Sequence, residues 1–129
     1  MNSVMEVESF GYRKLNAYKC AMSFTTEVYK LLKTFPKEEH YALCDQLRRA
    51  VVSVPSNIAE GMGRASIKEQ IHFLEIAYGS LNETMCQMEI ARNLGYISEQ
   101  QLQAIEEQVR ILGKLLSGLR KSKIQKLKD

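Results

Sequence analysis

The chain has 129 residues, enough for one domain (1–129) with its own core, and a formal net charge of +3 that alone identifies no class of partner. Its three cysteines, Cys20, Cys44 and Cys86, have the spacing of neither a disulfide framework nor a zinc site. No stretch approaches about 18 uninterrupted apolar residues, and the first residues lack a secretory-signal pattern, so we expect a cytoplasmic protein with no membrane partner.

The first two helices are predicted at about 14–34 and 38–61, after a loose, polar N-terminal segment that ends near Tyr12. The first helix ends at Phe35-Pro36, because the residue before a proline avoids the α region. Pro55 lies inside the second helix and either kinks it or marks a second start. Its ring removes an amide donor, and the freed carbonyl is expected to bond to a nearby polar side chain. The candidates are Ser53, Ser56 and Asn57.

The third helix is predicted at about 66–94, and both of its ends carry clear signals. Ser66 and Glu69 have the spacing of a capping box, in which each side chain satisfies a free amide of the first turn. Gly95 suits the left-handed conformation that closes many helices. Apolar residues at alternating spacings of four and three predict one continuous core-facing seam. The seam residues are Ile67, Ile71, Leu74, Tyr78, Leu81, Met85 and Met88.

The fourth helix is predicted at about 98–122, beginning with a second capping box at Ser98 and Gln101. A basic tail follows: residues 120–129 have a net charge of +4, whereas the other 119 residues hold 13 basic and 14 acidic side chains. Such a run is often a frayed, solubilising helix end, and the alternative is a surface for an anionic partner. Its basic side chains are Arg120, Lys121, Lys123, Lys126 and Lys128.

These four helices, short connections and no alternating strand pattern predict an all-α fold, an antiparallel up-and-down four-helix bundle. Apolar residues also occur away from the seams, at Phe73 and Ile76 in the third helix and at Ile111 in the fourth. Several such residues on adjoining helices suggest a subunit interface. We therefore predict a homo-oligomer with these three residues in its interface.

The sequence contains no recognisable catalytic motif. A di-iron bundle needs two Glu-x-x-His pairs that point inward, and this chain has one pair, Glu69 and His72, on the predicted outer face. The other histidine, His40, has no glutamate three residues before it. Segment 61–64, Gly-Met-Gly-Arg, lacks the Walker pattern and is typical of a helix stop. We expect a non-enzymatic protein without a metal site or a cofactor.

One long segment carries a family resemblance. Residues 46–61, which read Gln-Leu-Arg-Arg-Ala-Val-Val-Ser-Val-Pro-Ser-Asn-Ile-Ala-Glu-Gly, and then Arg64, resemble the four-helix bundle proteins encoded in intervening sequences of bacterial 23S rRNA genes. Their relatives include the accessory variability protein of diversity-generating retroelements. Segments 29–36, 73–80 and 94–96 extend the resemblance, which covers about residues 10–120.

The resemblance implies a small bundle that assembles as a ring, typically a pentamer. In the retroelement relative the ring is basic, binds nucleic acid and associates with a reverse transcriptase. The matching basic positions are Arg48, Arg49 and Arg64, although Arg48 and Arg49 could instead pair with Asp45, with Glu60 or with a neighbouring subunit.

Two functions remain open at this stage. The leading hypothesis is an oligomeric adaptor that binds RNA or DNA. The alternative is a structural module that contacts a protein partner and no nucleic acid. The side chains predicted to contact nucleic acid are Arg48, Arg49, Arg64, Lys68, Arg120, Lys121, Lys123, Lys126 and Lys128.

Overall fold

The computed structural model describes residues 10–129, so most of the predicted loose N-terminal segment lies outside the described residues. Four α-helices form the fold, and no strand occurs in the described part, which confirms the all-α prediction. A 3₁₀ turn at Gly11–Lys14 precedes the first helix, and another at Lys37–Glu39 precedes the second. The helices are α1 (Asn16–Leu32), α2 (Leu43–Met62), α3 (Ile67–Asn93) and α4 (Glu99–Lys128).

Each helix packs against the next one in the chain, and α4 closes the bundle against α1. Every helix contributes large side chains to the shared core. Phe24, Leu47, Leu81 and Leu112, one from each helix, are at most 1% exposed. Burying one such side chain stabilises the fold by about 1.5–3 kcal/mol. None of the helices within residues 10–129 has the length and apolar character needed to cross a membrane.

The turn between α1 and α2 differs from the sequence prediction, because α2 begins at Leu43 rather than near residue 38. The Glu39 carboxylate explains where the helix starts. Its Oε1 accepts a hydrogen bond of 3.3 Å from the Leu43 amide, one of the amides that a helix start leaves without a partner. Its Oε2 accepts a bond of 2.6 Å from the Tyr96 hydroxyl.

Helix α2 continues unbroken through Pro55. The prediction that Ser53, Ser56 or Asn57 donates to the freed carbonyl is wrong, because the donor comes from another helix. The carbonyl without an amide partner is that of Val51, four residues before the proline. Its contact is with Thr25 of α1, whose Oγ1 lies 3.4 Å from it and also donates to the Ala21 carbonyl at 2.8 Å. Asn57 donates instead to the Ser53 carbonyl and hydroxyl, at 2.7 and 2.8 Å.

Helices α2 and α3 approach closely and run antiparallel. A Cβ added at Gly61 would lie 2.7 Å from the Cβ of Phe73, so glycine permits the close approach there. Gly61 therefore lies within α2 as a packing residue, and the helix ends one residue beyond it. Midway along the pair, Ser80 Oγ donates to Ser53 Oγ at 2.8 Å. Polar contacts thus accompany the apolar packing between these two helices.

Both ends of α3 and the start of α4 follow the predicted signals, with one exception. Gly95 adopts a φ of +82°, and the Tyr96 amide donates to the Ala91 carbonyl at 2.9 Å, which closes α3 as predicted. Ser98 and Gln101 form the complete capping box. Ser66 accepts from the Glu69 amide at 3.3 Å, but the Glu69 carboxylate faces Arg64, so this box is only half formed.

The predicted seam of α3 is correct at Leu74, Leu81 and Met88, which are buried, and wrong at Tyr78, which is 40% exposed. Small and polar residues fill the missing part of the buried face. These residues are Ala77, Ser80, Thr84, Gln87 and Ala91. Because an apolar-only pattern does not count Ser, Thr or Gln, it shifts the predicted face around the helix.

Candidate nucleic-acid interface at one end of the bundle

The antiparallel topology brings distant basic segments together. Helices α1 and α3 begin at one end of the bundle, and α2 and α4 finish there. We call this the basic end. The side chains predicted to bind nucleic acid that lie there are Arg64, Lys68, Arg120, Lys121, Lys123, Lys126 and Lys128.

The predicted basic tail is a helical surface. Helix α4 continues to Lys128, six residues beyond the predicted end at residue 122. An ion pair shows how α4 is aligned with α3, because Arg120 Nη2 lies 2.6 Å from Oε2 of Glu75 in α3. From Arg120, α4 rises about 12 Å to Lys128, and the antiparallel α3 covers the same distance from Glu75 back to Ile67. The last lysines therefore lie beside the start of α3.

Two arginines at the basic end are held by carboxylates while remaining open to solvent. Arg64 Nη2 lies 2.6 Å from Glu60 Oε2, and its guanidinium lies 4.8 Å from the centre of the Phe73 ring. The side chains of Arg64 and Arg120 are 42% and 45% exposed. Solvent-exposed pairs of this kind contribute about 0–1 kcal/mol. A phosphate can therefore compete with the carboxylates for these guanidinium groups.

The lysines at the basic end fall into two groups. Lys68, Lys121, Lys126 and Lys128 are exposed and make no ion pair with any described residue. Lys123 is half-buried, because it continues the core-facing stripe of α4 beyond the buried Leu116. Burial, with a smaller contribution from Lys126, lowers the pKa of Lys123. The four exposed lysines are the better placed for phosphate.

Sequence reasoning missed two basic residues at this end. Arg13 and Lys14 lie in the 3₁₀ turn before α1, and both are exposed. The Arg13 guanidinium lies 4.2 Å from the centre of the Phe10 ring. The predicted fold could have identified them, because an up-and-down bundle places the start of the first helix beside the end of the fourth. Basic residues just before the first helix therefore lie near the basic tail.

Arg48 and Arg49 do not join this cluster. Arg48 Nη2 donates to the His40 carbonyl at 2.7 Å and lies 3.8 Å from Asp45 Oδ1. Arg49 lies 3.3 Å from Asp45 Oδ2, so the predicted alternative of pairing with Asp45 is the arrangement observed. Both lie in the early turns of α2, about 20 Å along the helix from its end. The predicted nucleic-acid set is therefore divided between two parts of the molecule.

The three predicted interface residues differ in exposure. Ile76 and Ile111 are 37% and 49% exposed, as a subunit contact requires. Phe73 is half-buried, and it lies between the backbone of Gly61 and the Arg64 guanidinium. Phe73 thus serves the packing of α2 on α3, and Ile76 and Ile111 are the stronger candidates for an interface.

The described residues contain no group of three or more histidine, cysteine, aspartate or glutamate side chains placed to hold a metal ion. Glu69 and His72, the Glu-x-x-His pair in the sequence, both face solvent. The chemistry at the basic end is that of fixed positive charge: guanidinium groups for paired hydrogen bonds and ammonium groups for attraction to anions.

Comparisons with known proteins agree with this architecture. The family model described as 23S rRNA-intervening sequence protein matches residues 13–118, which confirms the resemblance carried by segment 46–61. A crystal structure of a protein of unknown function from the S23 ribosomal protein family of Bacteroides thetaiotaomicron is similar, with 25% sequence identity and a TM-score of 0.75. The similarity covers 81% of this chain and 95% of that one. The comparison with curated proteins gave no match.

Proposed function

Because the chain belongs to the family of 23S rRNA-intervening sequence proteins, we propose that it is a non-enzymatic, self-assembling bundle that binds RNA phosphates at its basic end. One observation carries the proposal: the fold gathers basic side chains from three separate chain segments, residues 13–14, 64–68 and 120–128, at one end. Among residues 10–129, the acidic side chains at the basic end are Glu60, Glu69, Glu75 and Asp129. The first three face Arg64 or Arg120. The exposed lysines therefore supply the excess positive charge.

Phosphate is the ligand that this surface suits best. Basic side chains that contact nucleic-acid phosphates release condensed counterions, and this release drives binding without reading the base sequence. Arg64 and Arg120 add guanidinium groups that can form paired hydrogen bonds to one phosphate. We expect binding to be strongly salt-dependent and weakly sequence-specific.

Self-assembly strengthens the proposal. A single basic end offers a small contact area, whereas several copies in one assembly contact the same RNA at once and raise the effective concentration of each site. Ile76 and Ile111 provide exposed apolar surface for such an assembly. A ring of five copies is the arrangement that the family resemblance implies, and we include it in the proposal.

The test is a titration of single-stranded RNA and DNA at several salt concentrations. The variant Lys121→Gln/Lys128→Gln removes two exposed charges from the basic end. Its control, Arg110→Gln/Lys114→Gln, removes two charges from the middle of α4, away from both ends of the bundle. For a single strand, the slope of log affinity against log salt should become shallower by about 0.7 for each phosphate that the variant no longer neutralises.

The control should keep the wild-type slope. Equal slopes for wild type and the Lys121→Gln/Lys128→Gln variant would contradict phosphate binding at the basic end. If the wild type binds neither RNA nor DNA at low salt, the alternative of a protein-partner module replaces the proposal.

A further inference from the structure

A second candidate surface lies at the opposite end of the bundle, in the turn between α1 and α2. Tyr41 is 88% exposed there, whereas the exposed tyrosines of the helices, Tyr29 and Tyr78, are each 40% exposed. The His40 and Tyr41 rings pack in a T-shaped arrangement, with the ring centres 4.7 Å apart and the planes at 81°. The turn thus presents an aromatic ring to solvent.

A pocket of about 380 Å³ adjoins this ring. Its floor includes the buried side chains of Leu32, Phe35 and Cys44, and its rim carries Lys33 and Lys37. Burial raises the pKa of the Cys44 thiol, so the floor is uncharged at neutral pH. The volume is within the range of about 300–1,000 Å³ that is usual for small-ligand sites.

The turn that carries the pocket is fixed from two sides. Arg48 of α2 holds the His40 carbonyl at 2.7 Å. Glu39 accepts hydrogen bonds from the Leu43 amide and from the Tyr96 hydroxyl, which ties the turn to α2 and to the connection before α4. A ligand that contacts Tyr41 would therefore order few new groups, and a preformed site loses less affinity to ordering.

We propose that this pocket binds one unpaired nucleobase of single-stranded RNA, stacked against Tyr41, with Lys33 and Lys37 contacting the flanking phosphates. The inference rests on the proposed RNA binding and assigns it a second, base-contacting site. Aromatic side chains stack on any base, and neighbouring cations favour a nucleotide over a neutral aromatic ligand.

The charges around the pocket agree with this ligand. Two of the nearby carboxylates already have partners. Glu39 accepts hydrogen bonds from Tyr96 and Leu43. Asp45 pairs with Arg48 and Arg49 of α2. Lys33 and Lys37 are exposed and form no ion pair within residues 10–129. Glu38 is the remaining acidic neighbour in the turn.

The two sites make different demands on the nucleic acid. The basic end contacts phosphates alone, and so it binds single strands and duplexes. The Tyr41 pocket needs a base that is free to leave its stack, which a duplex does not offer. Preference for single strands should therefore depend on Tyr41, and the salt dependence should depend on the lysines.

The experiment measures binding of a short oligouridylate and of an RNA duplex to wild type, Tyr41→Ala, Tyr41→Phe and the control Tyr29→Ala. Tyr41→Ala should weaken single-strand binding by about 5- to 150-fold, the equivalent of about 1–3 kcal/mol per stacked base. Duplex binding and the salt slope should not change, because the substitution removes no charge. Tyr41→Phe and Tyr29→Ala should keep wild-type affinity.

Each contrary result has a distinct meaning. Wild-type binding of single strands by Tyr41→Ala would overturn the pocket and leave the basic end intact. Failure of the wild type to bind any RNA would overturn both proposals. Sedimentation analysis supplies a further check: if Tyr41→Ala alters the mass of the assembly, Tyr41 is a contact between copies, and the nucleobase proposal is wrong.

Discussion

The Tyr96 hydroxyl donates a hydrogen bond of 2.6 Å to Oε2 of Glu39, and this contact joins two turns that are 57 residues apart in sequence. Tyr96 lies just after Gly95, the residue that closes α3, and its ring also packs 5.5 Å from that of Phe35. Glu39 uses its other oxygen at the start of α2. The pair therefore couples the end of α3 to the beginning of α2.

This contact predicts an alkaline loss of stability. The hydrogen bond to Glu39, followed by burial and the negative charge of Glu39, raises the pKa of Tyr96 to about 12 from its usual 10.0. The folded state therefore favours the neutral phenol. The stabilisation is fully present below about pH 10 and is lost as the pH rises through about 12.

Urea unfolding of wild type and Tyr96→Phe over this pH range tests the prediction. The wild type should be the more stable below about pH 10, and the difference should shrink toward about pH 12 because phenylalanine does not titrate. Tyr29→Phe is the control for a tyrosine outside the contact. A wild-type advantage that stays constant through this range would contradict the prediction.

Gly61→Ala should destabilise the bundle. The new methyl would lie 2.7 Å from the Cβ of Phe73, which is close to the backbone and cannot rotate away. Overpacking of this kind costs about 1–3 kcal/mol. Gly79→Ala in α3 is the matched control, because nothing lies within 4 Å of the added Cβ. It should stabilise by about 0.5–1 kcal/mol through helix propensity. Thermal unfolding measures the change in stability of each variant. Equal changes for Gly61→Ala and Gly79→Ala would contradict the explanation that α2 and α3 approach closely at Gly61.

Thr25 and Pro55 should be energetically coupled. Thr25→Val removes the hydroxyl near the Val51 carbonyl and should cost about 0.5–1.5 kcal/mol. In a Pro55→Ala background the residue-55 amide can bond to that carbonyl itself, so the same substitution should cost less. A double-mutant cycle by urea unfolding should give a coupling of at least about 0.5 kcal/mol. Additive effects would show that Thr25 acts through Ala21 alone.

Ile76→Lys and Ile111→Lys should weaken self-association. Each places a charge on apolar surface that the assembly is proposed to bury, and the dissociation constant should rise by about tenfold or more. Leu127→Lys, an exposed apolar residue near the end of α4, is the control and should leave the assembly unchanged. Sedimentation equilibrium measures the mass. A wild type that is monomeric at all workable concentrations would contradict the predicted homo-oligomer.

The helices could be predicted well where local signals decide the outcome. Gly95 and the capping residues Ser98 and Gln101 act within one helix turn, so their roles can be read from spacing alone. The partner of the Val51 carbonyl could not be predicted, because Thr25 reaches it from another helix. Tyr78 was misplaced for a related reason: the face of α3 that is buried depends on polar residues that bond to α2.

The basic residues of the candidate site could be named from the sequence, but which of them lie together could be predicted only in part. Arg64, Lys68 and the α4 lysines meet because the topology is antiparallel, a consequence that follows from the predicted fold. Arg48 is drawn to a backbone carbonyl in a turn whose conformation the sequence does not specify. Tyr41 lies in that same turn, so a helical pattern of apolar residues predicts neither the Arg48 contact nor the exposure of Tyr41.

The hydrogen bond between Ser80 and Ser53 constrains how α2 and α3 can be aligned. Apolar side chains pack almost equally well if two helices slide by one turn, whereas a hydroxyl must find its partner at one position or lose its hydrogen bond. Gln87 Nε2 of α3 also lies 3.5 Å from Gln46 Oε1 of α2, so a slipped alignment would break both of these contacts between the helices. These side chains therefore favour one register of α2 against α3 over alternatives that the apolar core alone would tolerate.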